Sequence, residues 1–136
     1  MHGIFSATFV RRTLLTKGVV NTLLGVLHIA GTFTFEAANI AGHGGPAEFH
    51  RDYLIWFYGV GAFILFLGLV DLLCARNLAT NPSLARPVAL LDAVFTLSLG
   101  LPGVIVFGVS PPLVLLVTGT AGLLALALAQ RKTAAD

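Results

Sequence analysis

The sequence predicts an all-α protein, a four-helix transmembrane bundle of antiparallel, up-and-down topology, and three observations carry that prediction. Of 136 residues, 57% are hydrophobic and only 10% charged, with a mean hydropathy of +0.92, whereas soluble domains carry roughly a quarter charged residues. Four stretches, residues 18–35, 53–75, 87–109 and 112–130, are apolar and almost free of formal charge. Each is close to the roughly 20 residues that a helix needs to cross about 30 Å of hydrocarbon. Between them stand breakers: Gly42, Gly44, Gly45 and Pro46, then Asn81, Pro82 and Ser83, then Ser110, Pro111 and Pro112. A membrane β-barrel would instead alternate polar and apolar residues over about 10 positions, and these runs are apolar on both parities. No Ser-rich or acidic linker divides the chain, so residues 1–136 are read as one domain.

The first span follows Arg11, Arg12 and Lys17, and its length exceeds the roughly 7–15 apolar residues of a secretory signal. Ile4, Phe5, Phe9 and Val10 suggest an amphipathic segment at the membrane surface or an extension of the first helix. Apolar residues do not distinguish bundle from lipid, so the polar and small positions are the informative ones. Lys17, Asn21, Gly25, His28, Thr32 and Glu36 recur at spacings of three or four and share one face of the first helix. The second helix repeats this with Tyr58, Gly61, Gly68 and Asp71, the third with Asp92, Thr96, Gly100 and Gly103, and the fourth with Thr118, Gly122, Ala125 and Ala129. Pro102 lies inside the third span and is expected to kink it. The third and fourth spans form a hairpin with a very short turn.

Lys and Arg set the orientation. Arg11, Arg12, Lys17, Arg76, Arg86, Arg131 and Lys132 fall on one side and only Arg51 on the other. By the positive-inside rule both termini and the 76–86 loop, of roughly ten residues, are cytoplasmic.

Intramembrane ionisable groups are candidates for chemistry. Asp71 and Asp92 lie five residues before Arg76 and six after Arg86, about 8–9 Å inside the cytoplasmic boundary. Lys17 and Asn21 belong to the same layer. The two carboxylates cannot both stay ionised there without a counter-charge, so one proton, one cation or Lys17 must accompany them. Read structurally, they pair with Lys17, Arg76 or Arg86 and hold that end together; read functionally, they bind a cation or relay protons. His28, about 16 Å above Lys17, is either a neutral imidazole bonded to Thr118, Thr120 or a backbone carbonyl, or a proton relay, a haem ligand or a quinone contact. The chain offers no second intramembrane histidine for haem. Glu36, His43, Glu48, His50 and Asp52 in and beside the first loop supply oxygen and nitrogen donors for Zn²⁺ or Cu²⁺, without a recognised metal spacing. Phe49, Tyr53, Trp56, Phe57 and Tyr58 form an interfacial aromatic belt or the roof of a pocket. Cys74 is the single cysteine, so no internal disulfide forms. No catalytic motif identifies an enzyme, the net charge of +2 does not suggest a nucleic-acid partner, and no cofactor is expected.

Gly25-Val26-Leu27-His28 in the first helix, with residues 54–61 (Leu-Ile-Trp-Phe-Tyr-Gly-Val-Gly) and 67–70 (Leu-Gly-Leu-Val) in the second, resembles a family of small bacterial four-span membrane proteins. More distantly the chain is similar to the DoxX-like four-helix membrane proteins. The resemblance implies a multi-pass protein of the bacterial inner membrane and brings no established activity. The leading expectation is a non-enzymatic accessory or scaffold subunit, packing with itself as a homo-oligomer or into a larger membrane complex. The alternatives are an oligomeric carrier or channel for protons, metal ions or small molecules along His28, Asp71 and Asp92, and a quinone- or haem-linked redox subunit.

Overall fold

The computed structural model describes residues 7–107 and 111–133, and among them every regular element is helical. Helix α1 spans Ala7–Gly31, passes through a π-helical turn at Thr32–Glu36, and continues as α2, Ala37–His43. Helix α3 spans Ala47–Asn77, α4 Pro82–Phe107 and α5 Pro111–Thr133. Counting α1, the π turn and α2 as one rod, four helices are long and apolar enough to cross a membrane. The chain is a small multi-pass integral membrane protein.

Local chemistry explains the ends. Gly44 (φ 69°) and Gly45 (φ 119°) take backbone conformations that side chains with a Cβ rarely adopt, and Pro46, extended, opens α3. The turn before α4 is shorter than expected. Residues 78–81 make it, Asn81 accepts the Ala85 amide at 3.0 Å, and Pro82 occupies the first helical position. Proline suits that position because the first-turn amides lack helical partners anyway. The third span thus begins at Pro82, five residues ahead of the expected start at Pro87, which lies inside the helix together with Pro102. At the other end of the chain, α1 already includes Phe9 and Val10, and Val10 is buried. The alternative of a separate surface segment therefore fails for these two residues, while Ile4 and Phe5 lie outside the described residues.

Helix α1 packs most extensively on α3, and α4 on α5; α1 with α5 and α3 with α4 close the square. Glycines set the first of these interfaces. Gly18 and Gly25 on α1 and Gly61 and Gly68 on α3 are each seven residues apart, and along the antiparallel contact Gly18 lies against Gly68, Gly25 against Leu65 and Gly61 against Ile29. A Cβ on Gly68 would stand 2.5 Å from Thr22 Oγ1 and 2.9 Å from the Gly18 carbonyl, and one on Gly25 would stand 2.7 Å from Leu65 Cα. Between α4 and α5, Gly100 lies against Leu116 and Gly119 against Leu97. Backbones come this close because lipid tails supply no hydrophobic force between helices, leaving dispersion and close contact to do so. Outward, Leu23, Leu27, Phe33, Phe35, Phe66, Leu73, Leu91 and Ile105 present an apolar surface. Tyr58, expected on the inward stripe, is exposed and tilts against Phe33.

Candidate functional site

Where the stripes converge, Lys17 is the largest fully buried side chain of the bundle. Its Nζ donates to Asp71 Oδ2 at 2.5 Å and, more closely, to Asp92 Oδ2. Relative exposures of 2% for Lys17, 0% for Asp71 and 3% for Asp92 leave no route for bulk water to share these charges. The two carboxyl groups meet through the shared Lys17 ammonium. The aliphatic stem of Lys17 rests over Gly122, where a Cβ would meet Lys17 Cδ at 3.3 Å. Lys17 therefore touches all four long helices: it stands on α1, pairs with α3 and α4, and lies against α5.

The sequence places these groups by simple spacing. Leu14 and Val10 follow Lys17 down one face of α1 at three and seven residues and join Cys74, Ala75, Leu78, Ala85, Ala89 and Leu126 in an apolar plug beneath the cluster. Above it, Asn21 is fully buried and its Oδ1 accepts from Thr118 Oγ1 on α5 at 3.1 Å. Thr96, one turn after Asp92, is turned back onto the Asp92 carbonyl at 2.9 Å. Interhelical hydrogen bonds in bilayers average about 0.6 kcal/mol, because the separated helices find other partners. Thr118→Val is accordingly expected to lower stability by only about 0.6 kcal/mol in reversible detergent unfolding; a loss as large as that of a broken ion pair would show that Asn21 belongs energetically to the charged cluster.

One ammonium facing two carboxylates leaves a charge unmatched, and Oδ1 of both Asp71 and Asp92 is buried without a hydrogen-bond partner among the described residues. A proton between the acids supplies that balance with no change of helix positions. The arrangement can thus hold helices together electrostatically and hold one proton.

His28 stands apart from this cluster. Its ring stacks on Phe57 at 4.1 Å between centroids, and its buried Nε2 has no hydrogen-bond partner among the described residues. Thr118 and Thr120, both weighed as its partners, are engaged with Asn21 and with the Leu116 carbonyl instead. Thr32, buried, returns its hydroxyl to the His28 carbonyl at 2.9 Å, just where the helix widens into the π turn. That turn carries Glu36 to a cleft of about 270 Å³ lined by Glu36, Asn39, Ile40, Gly44, Phe49, His50 and Tyr53.

Among the described residues no three His, Cys, Asp or Glu side chains come together. His50 Nε2 donates to the Gly44 carbonyl at 3.0 Å, and Asp52 pairs with Arg51 at 3.1 Å in solvent. Glu48 is exposed in the first turn of α3, and the His43 side chain lies outside the described residues. Sequence reasoning missed Gly18, Thr22 and Gly119, all at helix contacts. The heptad spacing of Gly18–Gly25 against Gly61–Gly68 was the signal that could have found the first.

No family model matches this chain, and neither curated proteins nor solved structures show a match to it.

Proposed function

We propose that this protein is a non-catalytic accessory or scaffold subunit of a membrane, associating with itself or with a larger complex through its apolar outer faces. One observation carries the reading. The ionisable side chains of the membrane layer bind one another in a sealed cluster at the junction of the four long helices. A permeation path needs polar groups reachable from both sides, and the two clefts described lie elsewhere, one lined by Glu36 and its neighbours and one by Leu15, Leu69, Leu72, Leu73 and Arg76. Buried charges in such a position fix which helices meet and in what register. The distribution of Lys and Arg supports placing both termini and the turn at residues 78–81 on the cytoplasmic side, and the family resemblance supports a bacterial inner membrane.

Native mass measurement after extraction in mild detergent tests the proposal. A defined homo-oligomer or a stoichiometric co-purifying membrane protein is the expected result. A strictly monomeric chain with nothing bound would remove it.

A further inference from the structure

We propose that the cleft beside the Gly44–Gly45 turn binds a small organic ammonium group, presented by an amine-bearing phospholipid headgroup or by a free amine. This goes beyond the accessory role and does not depend on it. The cleft has one carboxylate, Glu36, two aromatic rings, Phe49 and Tyr53, and the ring of His50. Glu36 forms no ion pair among the described residues, and Arg51, the basic residue nearest in sequence, is already paired with Asp52 at 3.1 Å. A carboxylate beside aromatic faces is the chemistry that selects an organic cation, since the ring quadrupole and the anion attract the same charge.

Other ligand classes fit less well. An anion would meet Glu36, and among the described residues the nearby Arg51 is already paired with Asp52. A metal ion asks for several hard or imidazole donors, and no three gather here among the described residues. The volume, about 270 Å³, is just under the range of about 300–1,000 Å³ typical of drug-sized ligands, and so suits a headgroup rather than a large cofactor.

The floor is stiff. Tyr53 stacks on Phe57 at 5.9 Å and Phe57 on His28 at 4.1 Å, a column of three rings running from the cleft down into α1. The π turn is what brings Glu36 here, because its wider winding re-aims the side chains that follow it. The cleft lies where the apolar run of α3 begins, the level at which headgroups meet the hydrocarbon boundary.

The chain contains two tyrosines, Tyr53 in the cleft and Tyr58 outside it, which gives a reporter and an internal control. The full chain, carrying ¹³C-labelled tyrosine, is placed in nanodiscs of phosphatidylglycerol and titrated with ethanolamine and with tetramethylammonium. A second arm compares these nanodiscs with others containing phosphatidylethanolamine. The expected result is a saturable shift of Tyr53 and not of Tyr58, in the first arm for a free amine and in the second for a lipid headgroup. Glu36→Gln should weaken the effective ligand at least about tenfold, the loss of one charge-assisted contact, and Phe49→Leu should weaken it several-fold with the fold intact. Absence of a saturable Tyr53 response in both arms overturns the proposal, as does wild-type affinity in Glu36→Gln or, should that variant not fold, in Phe49→Leu.

Discussion

Replacing Lys17 with Met is expected to destabilise the bundle by about 3–5 kcal/mol, the usual cost of removing one partner from a buried ion pair. Met keeps most of the stem that lies over Gly122, so the loss isolates the ammonium. The two acids behave differently. Asp71→Asn or Asp92→Asn leaves Lys17 with one carboxylate, a neutral pair, and should cost much less than the loss of Lys17. In either Asn background, Lys17→Met should also cost less than in the wild type, since one acid rather than two is left without a cation. A double-mutant cycle on unfolding in mixed detergent reads this coupling directly. Strict additivity of Lys17→Met with both Asn substitutions would show that the three groups do not share charge.

The second large effect falls on the α1–α3 interface. Gly68→Leu must push α3 away from Thr22 and the Gly18 carbonyl, and Gly25→Leu must push α1 away from the Leu65 backbone. Neither obstacle is the end of a flexible side chain, so the helices themselves must separate. A core overpacked in this way loses about 1–3 kcal/mol or more, and here the displacement also withdraws Lys17 from Asp71, one turn beyond Gly68 on α3. Gly59, with open space at its Cβ position, is the control, and Gly59→Leu should melt like the wild type. Equal melting of Gly68→Leu and Gly59→Leu would contradict the close approach.

Much of this architecture is written in the sequence because the bilayer penalises polar groups so heavily. Lys17, Asp71 and Asp92 could be placed at one depth by counting from the flanking arginines, and the structure brings all three together. The small-residue stripes likewise turn inward at Gly25, Gly61, Gly68, Asp92, Thr96, Gly100 and Gly122. What sequence could not give is the outcome of competition between similar chemistries. Pro82 and Pro87 are equally plausible starts for a helix, and the cap at Asn81 decides between them. Val10 is indistinguishable in composition from a lipid-facing valine until α3, α4 and α5 surround it. The π turn has no residue signature, so the cleft at Glu36 was legible only as a set of loop donors awaiting a metal.

Lys17 contacts the three other long helices as well as standing on its own, and this bears on how the bundle can be put together. A Lys or Asp in a lone membrane helix is costly to insert, up to about 2.5–3.5 kcal/mol at the helix centre, and α1, α3 and α4 each carry such a residue at the shared depth, nearer the side proposed to be cytoplasmic. None of the three recovers that cost by meeting an arbitrary apolar neighbour. A one-turn slip of α1, about 5.4 Å, withdraws the ammonium from both acids at once and carries its stem off Gly122. Leucine-rich faces tolerate many alignments with nearly equal energy; this cluster tolerates one, so it works as the index mark that sets the vertical position of every helix against the rest.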